Sequence, residues 1–151
     1  MRDEARIGVI GAGSWGTTLA HLLAEKGYGV DLWVFEKDLC ETMRKTRENT
    51  LYLSGFPLNG RIVPSNDIAA VTAGRRMLVM VVPSHVYRSV AVRMVPHLRE
   101  NAVIVSATKG IENETLLTMS GIWKEILPGS LGVRVVTLAG PSFAREVMQK
   151  I

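Results

Sequence analysis

Cysteine is nearly absent: Cys40 is the only one in 151 residues. A lone cysteine forms no internal disulfide and has no CxxC partner, which points to a reducing compartment. The three histidines, His21, His85 and His97, are well separated and lack the spacing of a zinc site, so no metal is expected. No apolar run approaches the ~20 residues a transmembrane helix needs. Residues 1–6 carry charges of both signs, and Gly8, Gly11 and Gly13 break the apolar stretch behind them. That is a poor secretory leader, and a cytoplasmic protein with no membrane contact is expected. Charge of one sign is scarce as well. Eighteen basic residues against fourteen acidic ones leave a formal charge of +4, and the basic residues come in short groups such as Arg44-Lys45 and Arg75-Arg76. With no basic run and no interleaved stacking aromatics, nucleic acid is not an expected partner. Repeats, low-complexity tracts and an internal linker are also missing, so the length corresponds to a single domain.

What is present is an alternation of two patterns. Residues 7–10 form a short apolar run that stops at glycines, the mark of a buried strand. From Ser14 the spacing turns helical, with Leu19, Leu22 and Leu23 on one face and Lys26-Gly27 as the end. Residues 30–35 read as a second strand. Asp38 and Glu41 have capping-box spacing, predicting a helix over 38–47. Residues 49–64 hold Gly55, Pro57, Gly60 and Pro64 and read as a loop with a short strand near Ile62-Val63. Asn66 or Asp67 caps a short helix ending near Gly74. Further strands are expected over 77–82, 103–105 and 133–138, and helices over 85–98, 114–126 and from 143 onward. Apolar strands alternating with helices predict an α/β protein, a doubly wound parallel sheet covered on both faces.

Gly11-Ala12-Gly13-Ser14-Trp15-Gly16 is a GxGxxG motif between the first strand and the first helix, the context in which such a motif binds a dinucleotide. Gly11 permits the tight turn, Gly13 lets a pyrophosphate approach the backbone, and Gly16 lets the helix pack on the strand. The helix N-terminus then offers free N–H groups and partial positive charge. Glu36 lies twenty residues beyond Gly16. A carboxylate there accepts hydrogen bonds from the adenosine ribose and repels a 2′-phosphate; the other reading is an acid favoured at a helix start. Lys37 beside it offsets part of that repulsion, so NAD and NADP both stay open.

In open parallel sheets, ligands bind beyond the carboxyl ends of the strands. Three such ends carry Pro83-Ser84-His85, Thr108-Lys109-Gly110 and Gly140-Pro141-Ser142. Taken alone, Ser84 and His85 read as helix caps and Lys109 as a surface lysine.

Together the stretches GAGSWGTTLA (11–20), LW (32–33), VVPSHV (81–86), SATKGIE (106–112) and AGPSFAREV (139–147) resemble the bacterial type of NAD(P)-dependent glycerol-3-phosphate dehydrogenase over essentially the whole chain. The resemblance implies a Rossmann-like domain and reversible hydride transfer between a nicotinamide ring and C2 of sn-glycerol 3-phosphate, giving dihydroxyacetone phosphate. It implies that Ser14 and Trp15 contact the dinucleotide. Lys109 would be shared by cofactor and substrate, Gly140 and Ser142 would touch substrate, and Ala144 would touch cofactor. A cation at Lys109 suits a site where negative charge must be stabilised. Phe35 departs from the family, which commonly carries Arg or His there to hold the adenosine end, and this tilts the expectation towards NAD. The family's second, helical domain and its general-base lysine are expected outside these residues, so the chain alone should bind cofactor but turn over poorly or not at all. A homo-oligomer is expected for the full-length protein. The alternatives are a related hydroxyacid or 6-phosphogluconate-type dehydrogenase domain and a stand-alone dinucleotide-binding module, against which the SATKGIE and GPSFA segments argue.

Overall fold

The computed structural model describes residues 6–150. Six parallel strands form the main sheet: β1 (Ile7–Ile10), β2 (Val30–Trp33), β5 (Ile62–Ser65), β6 (Met77–Met80), β7 (Val103–Ser106) and β8 (Arg134–Thr137). Their spatial order is β5-β2-β1-β6-β7-β8. The chain therefore builds outward from β1 to one edge, then crosses back and builds outward from β6 to the other. The crevice where direction reverses lies at the carboxyl ends of β1 and β6, the usual ligand position in such sheets.

Alternation along the strands makes two cores. Ile7 and Val9 of β1, Val30 and Leu32 of β2 and Val79 of β6 pack under α1 (Ser14–Glu25) and α2 (Lys37–Thr46), together with Ala20, Ala24, Leu39 and Met43. On the opposite face, Ile10, Trp33, Leu78, Met80 and Ile104 pack under α3 (Ile68–Thr72), α4 (Ser84–Met94) and α5 (Met119–Ile126). Asp31 of β2 is exceptional among these apolar strands. Its carboxylate takes Arg6 at 2.6 Å and Arg75 at 2.8 Å, so a half-buried charge is paired from two sides. A last helix, α6 (Ala144–Gln149), lies along α1.

Four local expectations are corrected. The helix expected over 38–47 begins at Lys37. Glu36 occupies its cap position with extended backbone, no side chain closes the cap, and Asp38 sits in the first turn. Residues 49–64 are not simply a loop. β3 (Glu48–Asn49) and β4 (Leu53–Pro57) form an antiparallel hairpin, and the short strand expected near Ile62-Val63 is β5, an edge strand that tolerates Pro64. The helix expected over 114–126 starts only at Met119, where Thr118 accepts the Gly121 amide at 3.1 Å. Before it, Glu112 and Leu117 close a turn in which Leu116 takes a left-handed φ of 58°. The helix expected over 85–98 yields to a 3-10 turn at Val95–His97, where Pro96 ends the α-helical hydrogen-bond ladder. β8 is the least covered strand of the sheet, with Val136 and, just beyond it, Leu138 exposed.

Candidate functional site

The glycine motif is the turn from β1 into α1. Gly11 has φ of +115°, and a Cβ there would stand 2.5 Å from the Val81 carbonyl oxygen. At Gly16 a Cβ would stand 1.9 Å from the Gly11 carbonyl oxygen, so helix and turn touch backbone to backbone. Gly13 differs from both. Its backbone is ordinary extended chain, and nothing lies within 4 Å of where its Cβ would be. No internal contact therefore requires a glycine at position 13, and the space where its side chain would stand is open. It is also the cap residue of α1, where no side chain closes the helix end and no acid stands in the first turn. The first-turn amides are thus free to receive an anion.

That open space is part of one cleft of about 1100 Å³ running across the carboxyl ends of β1, β2, β6 and β7. Each residue singled out from the sequence lines it: Gly11, Gly13, Ser14, Trp15 and Gly16 in the motif, Phe35 and Glu36 after β2, Lys109 after β7, and Gly140, Ser142 and Ala144 after β8. Ser84 and His85 line it as well. Neither is a helix cap, because Pro83 occupies the cap position of α4 without a side-chain bond, so both side chains are free for the cleft.

At one end, Phe35 stands edge-on to Trp33 with ring centroids 6.0 Å apart, and the Arg93 guanidinium lies 5.5 Å from the Trp33 ring. Phe35 remains 68% exposed, an apolar platform at the mouth. The Glu36 carboxylate accepts the Tyr52 hydroxyl at 2.6 Å, which holds that phenol above its ordinary range. Both roles open to Glu36 thus meet in one geometry: the backbone starts α2 while the side chain borders the cleft.

At the other end, Thr108 donates to the Val82 carbonyl at 2.8 Å, tying the β7 loop to the end of β6. Further along that loop Glu112 takes Arg88 through two bonds, at 2.7 and 2.8 Å, and the Thr115 hydroxyl at 2.6 Å. Arg88 also reaches Glu125 of α5 at 2.8 Å. The guanidinium, with Thr115 next, lowers the Glu112 carboxyl from 4.5 to about 2. A carboxylate with a lowered folded-state value stabilises the fold above its ordinary range and loses that contribution as pH falls through the lowered value. Acid melts of R88M should therefore lack the part of the pH dependence between 4.5 and about 2 that the native protein shows. Superimposable profiles would show that this pair does not secure the loop bearing Lys109.

Sequence reasoning missed Asn49, Tyr52 and Arg93, and noted Trp33 only as part of the LW stretch. Asn49 and Tyr52 fall in a stretch that reads as loop, and Arg93 sits inside an element where it reads as an ordinary helix residue.

A twisted parallel sheet in this strand order, with an uncapped helix behind a glycine turn and an acid after the second strand, defines a dinucleotide-binding α/β domain. Residues 6–151 match the family described as NAD-dependent glycerol-3-phosphate dehydrogenase, N-terminus. The chain belongs to that family. It is 62% identical over its whole length to a glycerol-3-phosphate dehydrogenase [NAD(P)+] of Syntrophobacter fumaroxidans and 52% identical over 96% of its length to one from Syntrophotalea carbinolica. A glycerol-3-phosphate dehydrogenase crystal structure from Coxiella burnetii superimposes over 98% of the chain with a TM-score of 0.87 at 33% identity. In each case the chain spans 44% of the relative's own length.

Proposed function

We propose that this chain is the cofactor-binding part of an enzyme that interconverts sn-glycerol 3-phosphate and dihydroxyacetone phosphate, with NAD as the preferred dinucleotide. The observation that carries the reading is the single cleft joining an open, uncapped helix N-terminus to a lysine and a serine beyond β7 and β8. The residues present fit the dinucleotide: the room over Gly13 takes a pyrophosphate, and Glu36 takes ribose hydroxyls. When bound, the nicotinamide ring accepts or returns the hydride of C2.

The chain's own residues do the rest. The first-turn amides of α1, with Ser14 and Trp15, hold the diphosphate. Phe35 borders the adenosine end, and Ala144 touches the dinucleotide from α6. Lys109 places a positive charge where the substrate's oxygen or phosphate lies, and Gly140 and Ser142 bind the substrate itself. The group that takes the C2 hydroxyl proton is proposed to be a lysine in a helical domain of the whole protein, beyond the 44% of its relatives that this chain spans. The whole protein is proposed to be a cytoplasmic homo-oligomer with a small-molecule substrate and no nucleic-acid or membrane partner. Among the described residues, no helix is long and apolar enough to cross a membrane.

The preference for NAD rests on Glu36 and on the apolar Phe35, which offers no cation to a 2′-phosphate. A 2′-phosphate would face a carboxylate already oriented by Tyr52, while Arg93 is drawn to the Trp33 ring. Calorimetric titration should give NADH a dissociation constant at least about tenfold below that of NADPH, some 1.4 kcal/mol. Equal or tighter NADPH binding would assign Arg93 or Lys37 to the 2′-phosphate and overturn the preference. No binding of either by the intact, folded protein would overturn the functional reading.

A further inference from the structure

The hairpin β3–β4 contains a polar side chain that is fully buried. Asn49 is 0% exposed, and both hydrogens of its amide and its carbonyl oxygen have partners. Its amide nitrogen donates to the Ala12 carbonyl at 2.8 Å and to the Thr17 hydroxyl at 2.9 Å. Its carbonyl oxygen accepts the Tyr52 backbone amide at 3.0 Å. Ala12 lies between the two glycines that shape the turn, and Thr17 lies in the first turn of α1. Asn49 thus clamps both sides of the loop whose amides face the cleft. The same residue closes the bend that presents Tyr52, and the Tyr52 hydroxyl holds Glu36.

We propose that Asn49 is a positioning residue for dinucleotide binding: one buried amide fixes the aim of the glycine-loop N–H groups and, through Tyr52, the ribose-facing carboxylate. The inference rests on the cofactor role proposed for the cleft. Its physical basis is that neither contact is replaceable by water. Asn49 is sealed from solvent, and while the Gly13 carbonyl is held by the Thr17 amide at 3.0 Å, the Ala12 carbonyl is held by Asn49. Apolar packing fixes where α1 lies on the sheet through Ala20 and Ala24, but it does not fix the direction of the Ala12 carbonyl. A directional bond to the Ala12 carbonyl does, because rotating that peptide breaks it.

The test is Asn49→Asp in the intact protein, with NADH affinity measured by calorimetry from about pH 8 to about pH 5.5. An ionised aspartate keeps the acceptor facing Tyr52 but sets a negative oxygen against the Ala12 carbonyl. A protonated one restores a donor there. A buried carboxyl next to a carbonyl titrates above its ordinary range. Glu36, Glu48, Tyr52 and Arg145, the charged and titratable groups of the hairpin and its contacts, are common to both proteins, so the ratio of variant to native affinity isolates the new acid. N49D should bind NADH about tenfold or more weakly at the higher pH, in line with the loss of a buried hydrogen bond. The ratio should return towards one as pH falls. A purely structural residue would lower the melting temperature without a pH-dependent affinity ratio. A folded N49D with native affinity throughout overturns the proposal. If N49D does not fold, Asn49→Ser is read instead: a pH-independent loss of about tenfold in NADH affinity is expected, and native affinity overturns it. Failure of the native protein to bind NADH is a different result, and it removes the cofactor reading itself.

Discussion

Replacing Gly16 with alanine is expected to lower the thermal midpoint by roughly 6–12 °C, the equivalent of about 3 kcal/mol for a domain of this size. The methyl group would stand 1.9 Å from the Gly11 carbonyl oxygen and 2.9 Å from its carbon. Both are backbone atoms, held in turn by the Gly11 amide's bond to the Trp33 carbonyl at 3.2 Å. No rotamer change relieves such a clash. Either α1 lifts off the sheet, or the turn shifts and loosens the packing of Ala12, Ala20 and Ala24. Overpacking in a close-packed interior costs roughly 1–3 kcal/mol and sometimes more, and a backbone obstacle places this case at the upper end. Gly13→Ala gives the contrast. Nothing obstructs its methyl, so its melting curve should stay within about 0.5 kcal/mol of native. Its NADH affinity should nevertheless fall, because the methyl occupies the room proposed for the pyrophosphate. Circular-dichroism melts with parallel calorimetry on both variants separate the two roles. A native melting curve for G16A would contradict the packing argument, and native NADH affinity for G13A would remove the diphosphate from that spot.

Lys109→Met in the intact protein is expected to reduce kcat/KM for dihydroxyacetone phosphate by about 10²–10³, the usual cost of removing one preorganised stabiliser of developing charge. Lys109 is exposed on a loop whose flanks are pinned, by Thr108 to the end of β6 and by Glu112 to Arg88. A cation on a fixed loop, lining the same cleft as Ser142 and Gly140, is preorganised in the sense that matters: little rearrangement is needed as charge appears. Methionine keeps much of the side chain's length and removes only the charge. The melting temperature should hardly move, since an exposed side chain makes few contacts to lose. Steady-state rates with saturating NADH measure the effect. A change below about threefold would show that Lys109 faces solvent and that the substrate's charge is met elsewhere.

The strand–helix alternation, the parallel sheet and the glycine turn were legible because each rests on local pattern. Apolar runs too short for a helix and bounded by glycine or proline read as buried strands, and a helical repeat follows a turn that glycine permits. The motif's geometry was legible for the same reason: its three glycines answer to a tight turn, an open face and a close packing contact, and each is met at the expected position. The cap of α2 was misread because Asp38 and Glu41 have the right spacing while Glu36, one residue before the helix, already satisfies the extended backbone of a cap. The start of α5 was misread because residues 114–118 carry helix-compatible side chains, and it is a tertiary bond from Arg88 to Glu112 that holds them in a turn.

The order of strands, and so the crevice at β1 and β6, belongs to the assembled sheet, since doubly wound parallel sheets occur in more than one order. So does what lies around that crevice. Asn49 and Tyr52 stand in a polar stretch without periodicity, and their roles exist only because the hairpin folds over the glycine loop and brings them to Ala12, Thr17 and Glu36. Trp33 and Arg93 are sixty residues apart and meet only when α4 packs beside β2. Local pattern encodes which residues are buried and where the chain turns, because those depend on neighbours within a few residues. The partners of a polar side chain depend on distant segments, and only the assembled sheet and its two helical layers decide them.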